Sequence, residues 1–333
     1  MRRSKRSGRV SGVNNVRAQR NRTITLSRAE EDRYGKNLTH ISEPARADSL
    51  CNTILNQDVL QVIDLLPIAF VDLLILDPPY NLTKAFASNA FRKKSLAGYA
   101  EWFENLLVKL LPLLRNTASV YVCSEWCSST AVHLVLDKFL KVRNRITWER
   151  DKGRGAKTNW KNASEDIWFA TVSDDYVFNV EDVKLRRRVL APYTDDNGSP
   201  KDFDVTSAGQ FRLTHPSNLW NDITIPFWSM PENTDHPTQK PEKLLAKLIL
   251  ASTNRGDFVL DPFMGAGSSI VTAKKLNRKF LGVEIERQYC LLAAKRLHLA
   301  ELDRSIQGYT DGVFWERNTL AVQRRKASKG KHG

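Results

Sequence analysis

The stretch "LLILDPPYN", Leu73 to Asn81, constrains this chain more than any other. Leu73, Leu74, Ile75 and Leu76 are apolar without interruption. Such a short run suits a strand covered on both faces, as in a parallel sheet. Pro78 and Pro79 cannot continue the ladder, because neither has a backbone N–H to donate. The strand therefore ends, and Asp77 and Tyr80 sit at its carboxyl edge. In open α/β sheets that edge is where ligands bind.

The surrounding pattern agrees with a sheet between helices. Asp58 to Leu66 reads as a short amphipathic helix with Val59, Val62, Ile63 and Leu66 as its apolar face. "GYAEWFENLLVKLLPLL" and "AVHLVLDKFLK" have helical periodicity, and "ASVYVC" (Ala118–Cys123) reads as a buried strand. "NRITWER" and "DIWFATV" are strand-like. Strands alternating with helices predict an α/β fold with a doubly wound, mostly parallel sheet. From about Asn179 to Asp235 the chain turns polar and turn-rich, an insert of short strands and loops punctuated by Arg186, Arg187, Arg188 and Arg212. The α/β pattern resumes at Pro241, which starts a helix with Leu244, Leu245, Leu248 and Ile249 on one face. The expected organisation is a basic, disordered arm over 1–45, one half-domain over 46–179, the insert over 180–235, a second half-domain over 236–303 and a basic tail over 304–333.

Charge adds a partner class. The net charge is +14. Residues 1–28 hold nine basic side chains and no acid, and residues 322–333 hold five more and no acid. The remainder, with 37 of each sign, is neutral. The whole excess thus lies in two polar tails, which fits sequence-independent attraction to phosphate. No run of about 18 apolar residues marks a membrane span, and the arginine-rich start lacks the apolar core of a secretory signal. Cys51, Cys123, Cys127 and Cys290 form no disulfide framework and no metal spacing. A cytoplasmic protein without a metal is the expectation.

A second constellation is "LDPFMGAGSS", Leu260 to Ser269. It reads as a strand, a glycine turn and a helix start. Gly265 and Gly267 remove side chains where backbone must turn tightly and approach a ligand. The helix start brings free N–H groups and a positive dipole end. The next strand ends at Glu284, where an acid is placed to take ribose hydroxyls. Together these form a nucleoside-binding unit, with a glycine spacing shorter than the dinucleotide fingerprint.

Three motifs now stand in order: "DPPY", "HPTQKP" (His236–Pro241) and "DPFMGAGSS". Over roughly residues 50–300 the chain resembles the amino-methylating DNA methyltransferases of restriction–modification systems, in the β arrangement, with the catalytic half before the S-adenosylmethionine half and target recognition between them. The resemblance implies a permuted Rossmann-like fold and S-adenosylmethionine as cofactor. It makes Asp77, Pro78, Pro79 and Tyr80 the catalytic motif. It makes Asp261, Phe263, Gly265, Gly267, Ser268 and Glu284 cofactor-binding, with Thr238 and Lys240 near the methionine end and Asp58 at the cofactor's adenine. Ala266 and Ser268–Ser269 stand where the family often has Ser and Thr.

By the same resemblance, Asp at the head of the motif favours adenine N6 over cytosine N4, and residues 180–235 carry specificity, with Arg186, Arg187, Arg188 and Arg212 as candidate readers of guanine edges in duplex DNA. No Pro-Cys pair occurs, which disfavours carbon-5 cytosine chemistry. RNA or protein-glutamine methyltransferases place the cofactor turn earlier in the chain. A non-catalytic DNA-binding module would not need both motifs. A separate cognate endonuclease and a homodimer are left open as partners.

Overall fold

In the computed structural model, residues 20–81, 84–86, 89–150, 158–189, 194–199, 201–206, 209–317 and 319 are described. Among them the main sheet has nine strands. Its spatial order is β1 (Leu38–Thr39), β2 (Thr53–Leu55), β14 (Lys279–Val283), β13 (Phe258–Asp261), β3 (Val71–Leu76), β6 (Leu114–Ser124), β8 (Ser164–Thr171), β7 (Lys141–Glu149) and β12 (Leu219–Trp220). Every neighbouring pair is parallel except those made by β8, which runs antiparallel to both β6 and β7. The mostly parallel sheet expected from the sequence is therefore present, with one reversed strand.

Alternation within β3 explains the double cover. Leu74 and Leu76 face a core with α2 (Val59–Val62), α3 (Leu96–Leu110) and α4 (Trp126–Phe139). Leu73 and Ile75 face the opposite core, with α1 (Arg28–Gly35), α5 (Glu242–Ser252), α6 (Ser268–Lys275) and α7 (Arg287–Leu302). All four side chains are buried, so the strand is covered by apolar packing on both faces over this run. Among the described residues no helix is long and apolar enough to cross a membrane.

The insert builds a second sheet in the order β10 (Asp204–Thr206), β11 (Gly209–Thr214), β9 (Leu185–Arg188), β16 (Val313–Trp315) and β15 (Tyr309–Thr310). A short hairpin joins β4 (Lys84–Phe86) to β5 (Asn89–Phe91). The second sheet lies on α5, where Val183, Leu185 and Phe314 pack with Ala246, Leu250 and Ala251. As a result α5 is buried all round, not on one face as its periodicity predicts. Lys243 and Lys247 are buried with it, and both ammonium groups bind Asp222 of the insert, at 2.6 and 2.7 Å.

Two expected boundaries move. The described part of the N-terminal arm is ordered: Ser27 and Glu30 form a reciprocal capping box for α1, Tyr34 is buried, and Lys295 of α7 holds Glu30 at 2.5 Å. At the other end, β15 and β16 lie inside the expected basic tail, drawn in because Phe314 and Trp315 are buried. The most basic stretches, 1–19 and 320–333, lie outside the described residues.

Candidate active site

Strand β3 delivers Asp77 to Tyr80 to the carboxyl edge, and the Tyr99 hydroxyl donates to the Pro79 carbonyl at 3.3 Å to hold the turn. Lys240 arrives from the segment before α5. Its ammonium donates to both Asp77 oxygens, at 2.8 and 2.7 Å, and to the Tyr80 hydroxyl at 3.0 Å. The Tyr80 hydroxyl in turn donates to Glu165 Oε2 at 3.0 Å, and Arg150 pairs with the other Glu165 oxygen. Glu165 sits on β8, and the reversal of that strand is what brings it here. Ser124, at the carboxyl end of β6, lies opposite Asp166 near the start of β8.

The charges in this cluster set one another. Burial alone would push the Glu165 carboxyl up, but Lys240 and then Arg150 outweigh it and hold the group below the usual carboxylate range. Burial would lower Lys240, and Asp77 and Glu165 reverse that and push it above the usual lysine range. The Tyr80 phenol is pushed up by burial and then by Asp77 and Glu165, so it stays a neutral donor. Behind them the Cys123 thiol is fully buried and also pushed up, chiefly by burial, which makes it a packing group and not a nucleophile.

Strand β13, the immediate neighbour of β3, delivers the glycine turn to the same edge. Asp261 is buried and accepts from the Phe263 N–H at 3.0 Å and from the Ser269 hydroxyl. Burial pushes its carboxyl up to about 7; the two hydrogen bonds resist, and Asp77 and Glu284 add to the rise. Gly265 (φ +51°) and Gly267 (φ +76°) both adopt the left-handed conformation that glycine tolerates. A Cβ on Gly267 would stand 2.5 Å from the Ala293 Cβ, and one on Gly265 would stand 2.8 Å from His236 Nε2. The His236 ring meets Tyr289 edge to face at 4.4 Å, and its Nδ1 lies 3.4 Å from the Thr238 N–H. Glu284 Oε2 accepts from the Gly265 N–H at 3.0 Å and Oε1 from Glu286 N–H at 2.8 Å. Its carboxyl is raised, first by burial.

Several expected site residues do other work. The Ser268 hydroxyl accepts from Arg296 Nη1 at 3.0 Å, part of a buried pair between Arg296 and Glu242. Asp58 caps α2, accepting from Leu60 N–H at 3.0 Å. Asn56, two residues before it, ties the end of β2 to the carbonyls of Glu284 and Ile285, both at 3.0 Å. That places Asp58 beside the Glu284 turn. The recognition arginines do not form one patch, because a strand sends successive side chains to opposite faces. Arg186 lies 5.2 Å over the Trp315 ring, Arg187 pairs with Glu316 at 3.5 Å and Arg212 with Asp202 at 3.1 Å. Arg188 is exposed.

A cavity of about 700 Å³ opens beside the cluster. Lys240, Glu165, Arg150 and Trp148 form part of its wall, with Phe227 and Trp228 from the insert. Sequence reading missed Glu165 and Arg150. The one signal available was an acid at the start of "EDIWFATV", readable only once that strand is known to run backwards.

Comparison with known proteins agrees with this geometry. A family described as DNA methylase, N6_N4_Mtase, matches residues 71–295. The DNA adenine methyltransferase YhdJ of Escherichia coli (strain K12) is 31% identical over 268 residues, which cover 78% of this chain and 86% of that protein. The type II methyltransferase M.HpaI of Haemophilus parainfluenzae is 30% identical, over 68% of each chain. Among solved structures, the M1.HpyAVI–SAM complex aligns with a TM-score of 0.50 at 24% identity, over 73% of this chain and 98% of that one. The cytosine-N4-specific PvuII DNA methyltransferase aligns at 0.53 and 16%, over 73% and 85%. Both structural likenesses establish the Rossmann-like methyltransferase fold. With the family matched across most of its length, and with the two motif turns side by side on β3 and β13, the chain belongs to the N6/N4 DNA methylases.

Proposed function

We propose that this enzyme transfers a methyl group from S-adenosylmethionine to the 6-amino group of adenine in a short duplex DNA site, protecting DNA within a restriction–modification system. The observation that carries the reading is the adjacency of β3 and β13, which sets Asp77–Tyr80 beside Asp261–Gly267 at one sheet edge. The likeness to an adenine methyltransferase and the Asp at the head of the motif favour adenine.

The residues present fit the cofactor. Each Glu284 oxygen takes one backbone N–H and keeps lone pairs for a pair of vicinal hydroxyls. The side-chain-free turn at Gly265–Gly267 leaves backbone exposed for close approach. Phe263, Asp261 and Thr238 would complete that cradle, with Asp58 beside the Glu284 end. When bound, S-adenosylmethionine supplies an electrophilic methyl on a sulfonium.

The exocyclic amine of a base is a poor nucleophile, because its lone pair is delocalised into the ring. Asp77 and the Pro78 carbonyl each accept one amine hydrogen, which turns that lone pair out of the ring plane. Lys240 donates to both Asp77 oxygens, and a carboxylate has acceptor sites enough for both ammonium and amine. Tyr80, its hydroxyl held by Glu165, presents its ring to the base. The base leaves the duplex to reach this pocket, at a cost of a few kcal/mol. Preorganised acceptors and positioning supply the main rate terms. Residues 180–235 carry the specificity, with Arg188 the most exposed of the four candidate readers.

A nucleoside digest tests the reading. Purified protein is incubated with S-adenosylmethionine and unmethylated DNA, and modified nucleosides are identified by mass spectrometry. The expected product is 6-methyladenine. A 4-methylcytosine product would keep the mechanism and move the substrate, and neither product on DNA would overturn the proposal.

A further inference from the structure

Glu125 follows directly on β6, between the catalytic turn and Glu165. The sheet order there is β3, β6, β8, β7. Leu76 pairs with Val122 in parallel register, so the chain beyond Leu76 runs beside the chain beyond Val122. Ser124 pairs with Asp166 in antiparallel register, which sets Glu125 one step on, beside Glu165. Glu165 pairs in turn with Trp148 of β7, and both line the cavity beside the cluster. The Glu125 backbone is extended (φ −90°, ψ 163°), so the alternation of β6 runs on through it. Its side chain therefore shares the face of Cys123, the thiol behind Asp77, Lys240 and Glu165. The Tyr99 phenol, raised first by burial, is raised further by Asp77 and by Glu125, and its hydroxyl holds the Pro79 carbonyl.

Glu125 is 6% exposed, yet among the described residues its Oε1 has no hydrogen-bond partner. A buried carboxyl oxygen without a partner is costly, and such a group calls for a reason. Capping is not the reason. Glu125 stands at the N-cap of α4, but its side chain makes no cap bond. The N–H groups of Ser128 and Ser129 go instead to its main-chain carbonyl, at 3.1 and 2.9 Å. Burial pushes the Glu125 carboxyl up and Glu165 adds to the rise, against the Cys127 thiol, Lys93 and Arg150. An ionised carboxylate can only accept, whereas the neutral acid has an O–H to donate. A base seated in the pocket removes more water and favours the neutral acid further.

A base out of its stack needs such a donor. Asp77 and the Pro78 carbonyl take both hydrogens of the adenine amine. The ring nitrogen beside that amine, N1, is an acceptor that loses its base-pair partner on leaving the duplex, and it costs free energy if left unpaired. We propose that Glu125 is a base-recognition residue whose carboxyl donates a hydrogen bond to N1 of the target adenine. This rests on the adenine methyltransferase reading and adds to it the group that fixes the base within its own plane. With N1 held, the amine meets Asp77 and Pro78 in one orientation. Guanine and thymine present an N–H at the matching ring position, so a donor there refuses them.

The test uses the full chain, Glu125→Ala and Glu125→Gln. Each is assayed on synthetic duplexes of the mapped site with adenine, 1-deazaadenine or 7-deazaadenine at the target. Methyl transfer gives kcat/KM, and calorimetry gives cofactor affinity. On adenine and 7-deazaadenine, Glu125→Ala is expected to lower kcat/KM about tenfold or more, with cofactor affinity within about twofold. On 1-deazaadenine the wild type is expected to fall by a similar factor and Glu125→Ala to fall no further, because the partner atom is already gone. Glu125→Gln, whose amide can donate, is expected to regain part of the loss on adenine and none on 1-deazaadenine. Equal losses from Glu125→Ala on all three duplexes, a loss within about twofold on adenine, or a Gln variant no better than Ala overturns the contact. If thermal melting shows the Ala variant unfolded, the wild type decides: 1-deazaadenine methylated as fast as 7-deazaadenine overturns the contact. A wild type that makes no 6-methyladenine on the adenine duplex defeats the functional reading and this contact with it. A wild type active on adenine and indifferent to the Glu125 changes defeats the contact alone.

Discussion

Replacing Glu165 with glutamine isolates what its charge does. The isosteric amide keeps an acceptor for the Tyr80 hydroxyl and loses the ion pairs to Arg150 and Lys240. Breaking a buried pair outright costs about 3–5 kcal/mol. Here the loss is softened in two ways. The Arg150 side chain is 32% exposed and rehydrates, and Lys240 keeps Asp77 as its counter-ion. Two charge-assisted contacts each falling to neutral strength lose about 1 kcal/mol apiece. A net destabilisation of about 2–3 kcal/mol follows, a melting temperature lower by about 4–9 °C. Glu165→Gln should also lower kcat/KM by about 10–100-fold, some 1.4–2.8 kcal/mol, with cofactor affinity unchanged, because Tyr80 loses the ionic anchor that orients its ring. Since the folded carboxyl is held below its unfolded value, its contribution is present above an unfolded pKa near 4.3 and fades as pH falls below that. The gap between wild type and Glu165→Gln should close in the same window. Urea denaturation at several pH values and steady-state methyl transfer measure both effects. A variant with wild-type midpoint and wild-type kcat/KM would show that Glu165 positions nothing.

Asp77→Ala should bind cofactor normally, by calorimetry, yet lose methyl transfer; retained turnover would remove Asp77 from its role. Gly267→Ala must place a Cβ 2.5 Å from Ala293 at a positive φ, so it should cost about 2 kcal/mol or more and show as a lowered denaturation midpoint, unless α7 shifts freely. Asp261 has a folded pKa of about 7, above its unfolded value near 3.9. Its contribution to stability is therefore present below pH 4 and lost as pH rises to about 7. Asp261→Asn should flatten that part of the stability–pH curve, which pH-resolved thermal melts will reveal.

How much of this was legible follows from where the information lies. The catalytic and glycine turns each sit within one covalent stretch, so Pro78, Pro79, Gly265 and Gly267 announce them locally. Their adjacency follows from an alternating α/β chain. Glu165 was invisible because it depends on β8 running backwards, and a strand's direction leaves no mark on its own residues; Arg150, at the end of β7, gains its meaning only as the partner of Glu165. The partner of Ser268 was hidden for a related reason: Arg296, on α7, is distant in sequence and meets the hydroxyl only in the fold. Arg186 to Arg188 read as a block in sequence, whereas the pleat divides them and Trp315 and Glu316 claim two.

The burial of α5 beneath the second sheet bears on how such enzymes could change their target. In sequence the insert reads as a detachable cassette, free to be exchanged between relatives. Yet Asp222 within it pairs with both Lys243 and Lys247 in the interior, and Pro241, which leads into α5, directly follows Lys240, which holds Asp77. A graft of residues 180–235 that omitted that carboxylate would leave two interior cations uncompensated next to the chemistry. Under the proposed reading, with specificity in residues 180–235, an exchanged insert therefore has to bring that carboxylate with it or inherit α5 along with the cassette.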